Sequence, residues 1–266
     1  MQIIGQEQLL DRLNKYTLQT LPKASIFFGE PGCGKHLIGE YIAERLDLKL
    51  VNIEPKVTAD DLVEYTRSPI NTLYIIDLRG IAEKQQNQFL KFVEEPAETA
   101  YFILLANSEI GVLSTLLNRC LKFYFAPYSA EQLKQITGEK YSSELPYLIC
   151  KTPGQLENLD EKLIGSLYDL CAKFVTSIKK ASYANLMSII PRINYKEDYN
   201  KYDFLLFFNM LEFVAYTSFI TDKNEDAFKV YKLTNEYKQQ MFSRPINKET
   251  YILNFLTNIW ELTRWH

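Results

Sequence analysis

Residues 29–36 read Gly-Glu-Pro-Gly-Cys-Gly-Lys-His, and their flanks restrict the fold more than any other stretch of the chain. A short apolar run, SIFF (25–28), leads in, and an amphipathic segment, HLIGEYIAERL (36–46), leads out. Glycines at this spacing let backbone N–H groups converge on phosphate oxygens, and a helix start adds a favourable dipole for an anion. Lys35 would reach the terminal phosphates as a point charge. Strand, Gly-rich turn and helix in this order predict a P-loop α/β fold. Gly29, Glu30, Pro31, Gly32, Cys33, Gly34, Lys35 and His36 become nucleotide-binding candidates. The plainer reading is a Gly/Pro turn that binds nothing.

Position 36 departs from the motif. Ser or Thr there would offer a hydroxyl to Mg²⁺, and imidazole is a poor substitute for a hard oxygen ligand. Binding of a magnesium nucleotide should therefore be weak or absent, which leaves ATP or ADP, and Mg²⁺ itself, as open expectations. A histidine at a helix start also commonly caps or packs. The run Leu73-Tyr74-Ile75-Ile76-Asp77 supplies the second element of such a site, an apolar strand that delivers a carboxylate. Asp77 could equally just end a strand.

The remaining first half alternates apolar runs with helical patterns. Strands are expected at LKLVNI (48–53), TLYIIDL (72–78), YFILLAN (101–107) and CLKFYFA (120–126), with helices near 60–65, 82–95 and 110–117. Runs this apolar mean a parallel sheet covered on both faces. After Pro127 the pattern is helical throughout, with short helices over 129–175 and longer ones over 180–266, broken at Pro191 and Pro245. Three segments result: a P-loop α/β domain (1–127), a small helical lid (128–178) and a helical C-terminal domain (179–266).

Charge and cysteines narrow the class. The 30 basic and 33 acidic residues leave a net charge of -3, which argues against coating nucleic acid by bulk charge. The 4 cysteines, at 33, 120, 150 and 171, have neither metal-ligand spacing nor the look of a disulfide scaffold, so no zinc ribbon or finger is expected and a reduced, cytoplasmic setting is. The start MQIIGQEQLL lacks a basic stretch followed by an apolar core, so no signal peptide is expected. The most apolar stretch, 204–220, is interrupted by Asn209 and Glu212 and reads as a buried helix rather than a membrane span.

A wider set of motifs follows the loop in order: Ile4-Gly5-Gln6, GEPGCGKH, LYIID, FLKFVEEPAE (89–98), FILLANS (102–108) and LLNRCLKFYF (116–125). This set resembles the AAA+ clamp-loader subunits of bacterial DNA polymerase III over about residues 3–160. The helix ending in Glu94-Glu95-Pro96 and the triplet Asn118-Arg119-Cys120 are its most specific pieces, the family pattern at the triplet being Ser-Arg-Cys. The resemblance implies an AAA+ domain, a helical lid and a collar-like oligomerisation domain. The departures resemble the delta-prime branch, which stays in the ring without hydrolysing ATP. They are His36, Leu78 in place of a catalytic Glu, and Gly154 of Lys151-Thr152-Pro153-Gly154 in place of a sensor Arg. Loss of general-base assistance alone costs roughly 10²–10⁴ in rate. The family's four-Cys zinc module has no counterpart in 47–72, so no zinc is expected.

The resemblance also implies roles. Arg119 would be an arginine finger acting in trans on a neighbour's ATP site; pairing with a local carboxylate is the plainer alternative. Asn107 matches the sensor that contacts the γ-phosphate, or in a dead site only hydrogen-bonds locally. Gln6 lies where the family approaches adenine, though an exposed turn Gln is common. Lys179-Lys180 reads as a solvated helix face. Implied partners are clamp-loader ATPase subunits, the delta subunit, the sliding clamp and primed DNA within the complex, with no membrane. Competing readings are an active AAA+ ATPase with its metal site rebuilt around His36, a small-molecule P-loop kinase, and a nucleotide-free scaffold. Segment 116–125 and the long helical C-terminus argue against the kinase.

Overall fold

The computed structural model describes residues 3–54, 63, 68–79, 81–138, 140–157, 159–178, 182–188, 201–241, 247–262 and 264. The helix expected over 60–65, apart from Val63, the Lys179-Lys180 pair, Pro191 and Pro245 lie outside them. The described residues form two compact units. One holds 1–136 with 152–154, the other 137–151 with 155–266. The sequence suggested three segments, divided at 127 and 178. Packing separates only two, because helix 161–177 packs with the C-terminal helices instead of closing off a lid of its own.

The first unit is built on five strands: β1 (Ala24–Phe28), β2 (Lys49–Ile53), β3 (Thr72–Asp77), β4 (Ala100–Ala106) and β5 (Leu121–Tyr124). Their order is β2-β3-β4-β1-β5, and every neighbouring pair is parallel. All four strands expected from apolar runs after the loop are present, three of them trimmed by one to three residues and β4 shifted by one residue toward the N-terminus. β1 and β4 are buried at every position, as a sheet covered on both faces requires.

Period-two alternation assigns the faces. Ile26, Phe28, Tyr74, Ile76, Phe102 and Leu104 share one core with Phe89, Phe92 and Leu116. Tyr74 and Phe102, register partners on β3 and β4, stack with ring centroids 5.3 Å apart. Ile75 points the other way, toward helix α2 (Lys35–Arg45), where Gly39 leaves room for it: a Cβ there would sit 2.5 Å from Ile75 Cδ1.

Helices α1 (Glu7–Asn14), α3 (Glu83–Gln86), α4 (Leu90–Glu94), α5 (Ser114–Leu117) and α6 (Ala130–Thr137, whose last residue belongs to the second unit) complete this unit. The helix expected at 82–95 is real but broken, a 3₁₀ turn at Asn87–Phe89 separating α3 from α4. It stops at Glu95, because the residue before a proline is driven out of the helical region; Glu95 adopts φ -127°, ψ 63°.

The second unit is helical: α7 (Leu145–Ile149), α8 (Pro153–Leu156, whose first two residues belong to the first unit), α9 (Glu161–Ser177), α10 (Tyr183–Met187), α11 (Lys201–Asp222), α12 (Glu225–Gln240) and α13 (Lys248–Leu262). Asp160, Ser182 and Asn224 cap α9, α10 and α12 with side-chain oxygens. α11 is the apolar stretch noted above and is long and apolar enough to cross a membrane. It packs as a core helix: Phe208 is fully buried, with Phe255 at 4.9 Å between ring centroids. Its Glu212 pairs with Lys238 of α12 at 2.6 Å.

Candidate functional site

The loop leaves β1 at Phe28 and turns through two glycines in the left-handed region, Gly32 (φ 80°) and Gly34 (φ 89°), before α2 begins at Lys35. A side chain at either position would be strained, which is the physical reason glycine stands there. Gly29 is constrained by space instead: a Cβ would lie 2.7 Å from both Cys33 Sγ and Phe125 Cβ.

Lys35 is buried, 5% exposed, and its ammonium turns back into its own loop. It donates to the carbonyls of Gly29 (2.6 Å) and Glu30 (3.1 Å), and its third contact is Cys33 Sγ at 3.7 Å. All three N–H groups of the ammonium are thus engaged. Burial, with Arg79 adding repulsion, holds its pKa below the ordinary lysine value against the opposing pull of Cys33 and Asp77. The Cys33 thiol is shifted upward by burial, partly offset by Lys35.

Asp77 ends β3, and its carboxylate is gripped by Arg79 two residues on. The Arg79 backbone N–H donates to Oδ1 at 2.9 Å, and Nε reaches Oδ1 and Oδ2 at 2.8 and 2.7 Å. A guanidinium Nη2 completes the fork. Leu78, where a catalytic Glu would stand, is buried and donates its N–H to Leu105 O. His36 lies at the loop exit with both ring nitrogens occupied, Nδ1 by Glu40 Oε1 at 3.1 Å and Nε2 by Asn52 Oδ1 at 2.7 Å.

The segment 152–154 closes on the loop. Thr152 Oγ1 donates to Pro31 O at 2.8 Å, and Gly154 N–H donates to Gly32 O at 3.2 Å. A Cβ on Gly154 would fall 2.6 Å from Gly32 Cα, so in this arrangement no side chain, arginine included, fits at 154. The lysine, the carboxylate, His36 and the loop rim are all engaged by the chain's own atoms. As placed, they do not fit a magnesium nucleotide.

The other expected residues fall as follows. Gln6 is not an exposed turn residue: it is 7% exposed, and its amide pairs both ways with Ala126, Nε2 to the carbonyl at 2.7 Å and Oε1 from the N–H at 2.9 Å. The reason is its left-handed backbone (φ 62°) before α1, which turns the side chain inward. Asn107 follows β4, but its Oδ1 is buried with no hydrogen-bond partner among the described residues, unlike the local bond expected. Arg119 follows α5 and lies apart from the loop residues in sequence, held by Glu94 at 2.6 Å and donating to Thr115 O at 3.0 Å. That local pairing was the plainer alternative. The Arg119 side chain is still 41% exposed.

Four residues escaped the sequence reading. Tyr128 donates to Cys33 O at 3.1 Å, and Thr152, Arg79 and Asn52 hold the loop, Asp77 and His36 as described. The i+2 spacing of Arg79 from Asp77 and the single amide in the apolar run LKLVNI were the available signals. Nothing in the sequence marked Tyr128, and Thr152 stood out only as a neighbour of Gly154 in the motif Lys151-Thr152-Pro153-Gly154. Among the described residues, no group of three or more His, Cys, Asp or Glu is arranged to hold a metal.

Residues 65–129 match the family model for DNA polymerase III, delta subunit. The replication factor C small subunit of Methanosphaera stadtmanae is 23% identical over 158 residues, covering 52% of this chain and 49% of that protein. The DNA polymerase III subunit gamma of Buchnera aphidicola is 25% identical over 203 residues, covering 63% of this chain and 54% of that protein. The chain thus spans about half the length of these relatives. A crystal structure of a DNA polymerase III gamma subunit-related protein from Thermotoga maritima superposes with a TM-score of 0.48 at 16% identity, covering 97% of this chain and all of that one. The family match and the relatives make this chain similar, over part of its length, to DNA polymerase III subunits and replication factor C small subunits.

Proposed function

We propose that this chain is a delta-prime-like clamp-loader subunit: a ring member that does not hydrolyse ATP itself and donates Arg119 to the ATP site of a neighbouring ATPase subunit. Its role would be to help open and load a sliding clamp onto primed DNA in replication, in a cytoplasmic complex with ATPase and delta subunits. The observation that carries this reading is the engagement of Lys35 and Asp77 within the chain, together with Gly154 packed on Gly32. Binding a triphosphate here would require breaking the Lys35, Arg79 and Thr152 contacts at once. A finger delivered in trans supplies roughly 10³–10⁵ in rate by stabilising charge on the transferring phosphoryl, so a silent site does not make the subunit dispensable.

Two measurements test it. Titration of the purified chain with a fluorescent ATP analogue, with and without Mg²⁺, should give no saturable binding at micromolar concentrations. In the assembled loader, Arg119→Ala should lower DNA-stimulated ATPase by at least tenfold. Unchanged ATPase would remove the finger role, and tight magnesium-dependent binding would remove the silent site. The rival reading, a metal site rebuilt around His36, is disfavoured because Glu40 and Asn52 already occupy both ring nitrogens.

A further inference from the structure

Glu94 sits in the last turn of α4, held there by the stop that Pro96 imposes. A carboxylate at that end is unfavourable, because the helix C-terminus carries negative partial charge. Its place makes sense once its partner is considered. Arg119 arrives from another element, just beyond α5, and its Nε meets Glu94 Oε1 at 2.6 Å. A second guanidinium donor, Nη1, is fixed on Thr115 O at 3.0 Å. Of the five N–H groups of the guanidinium, one on Nη1 makes a hydrogen bond, to Thr115 O, while the Glu94 carboxylate lies against Nε as an ion pair.

Both side chains of the pair are 41% exposed. Ion pairs so wetted contribute little to stability. What such a pair can do is select one rotamer of a long side chain that otherwise samples many. Two anchors on separate helices, α4 and α5, then restrict the guanidinium to a narrow range of positions while it stays partly exposed. We propose that Glu94 is the positioning residue for Arg119, pre-setting the guanidinium before a neighbouring subunit's nucleotide meets it. The inference rests on the finger reading above and deepens it. Glu94 touches no phosphate; it acts through Arg119 alone.

The test uses the full chain assembled with the ATPase subunits it co-purifies with, assayed with MgATP, clamp and primed DNA. Glu94→Ala should lower kcat by roughly fivefold, the upper range for an exposed pair, with KM for ATP unchanged. Glu94→Gln retains the side chain's shape and an oxygen against Nε, and should recover most of the rate. Glu95→Ala, one residue on, should behave as wild type. In an Arg119→Ala background, Glu94→Ala should add nothing, because the residue it positions is gone.

A Glu94→Ala loader with wild-type kcat, alongside a damaged Arg119→Ala loader, overturns the positioning role and leaves the finger standing. If Arg119→Ala itself has no effect, the finger reading fails first, and the two failures are distinguished. An additive loss in the double variant also overturns the proposal, because Glu94 would then act by another route. Thermal unfolding of each variant within a degree or two of wild type separates positioning from misfolding. Were Glu94→Ala to unfold, the Gln variant and the double-variant comparison built on it would still decide the matter.

Discussion

The same substitution, glycine to alanine, should have opposite signs at two positions of this chain. At Gly154 the added Cβ lands 2.6 Å from Gly32 Cα and 3.4 Å from Gly32 O. Comfortable carbon–carbon contact lies at about 3.5–4.0 Å, so about 1 Å of movement is needed, between two backbone segments rather than flexible tips. Overpacking of this kind costs about 1–3 kcal/mol. Against it stands the helical preference of alanine over glycine, worth at most about 1 kcal/mol in the first turn of α8. The steric cost wins, leaving a net loss of about 2 kcal/mol.

Gly165 lies inside α9 with nothing within 4 Å of its Cβ position, so Gly165→Ala should gain up to about 1 kcal/mol from propensity alone. Scanning calorimetry of the full chain reads both. Gly154→Ala should lower the melting temperature of the transition that carries the P-loop unit by about 4–8 °C, and Gly165→Ala should raise that of the helical unit by about 2–4 °C. Wild-type or higher stability for Gly154→Ala would refute the packing of segment 152–154 on the loop, and with it the physical basis for a closed site.

Two further expectations address buried polar groups. Because burial holds the Lys35 pKa below the ordinary 10.5, the unfolded chain keeps a proton that the folded chain has shed between those two values. Stability should therefore rise with pH across that window in the wild type, relative to Lys35→Met, which has no such group; parallel stability–pH curves for the two proteins would contradict it. Asn209 in α11 is 2% exposed, and neither its Oδ1 nor its Nδ2 has a partner among the described residues. Asn209→Leu should raise the urea midpoint, by a gain of about 1–3 kcal/mol, and a lowered midpoint would show that the amide is satisfied after all.

The sheet was legible in the sequence because its central strands are buried along nearly their whole length: apolar runs bounded by Gly, Pro and charge admit few alternatives to a parallel sheet. The loop was legible for a related reason, since Gly32 and Gly34 occupy backbone regions that few other residues tolerate. The domain count was less so. Helix periodicity says which face of α9 is apolar but not what covers it, and α9 turned out to pack within the C-terminal helical unit.

The site was read in its parts and missed in its connections. His36, Leu78 and Gly154 could be marked as departures from a motif. That Arg79 would occupy Asp77, or Thr152 reach Pro31 across 121 residues of sequence, depends on side-chain directions that no local pattern carries. Gln6 illustrates the same limit, because its inward turn follows from a left-handed φ rather than from its polarity.

The contact between Gly32 and Gly154 also bears on how such a chain can change. Each glycine removes room that the other position would need for a side chain, so the two positions are coupled although distant in sequence. An arginine reintroduced at 154 meets a collision before it can reach any phosphate. It becomes tolerable only after the loop has moved, and the loop is held by Thr152 and Tyr128. A single substitution at either glycine therefore passes through a strained state, and the pair can change only together with the loop, so packing alone makes these two positions a lock on each other.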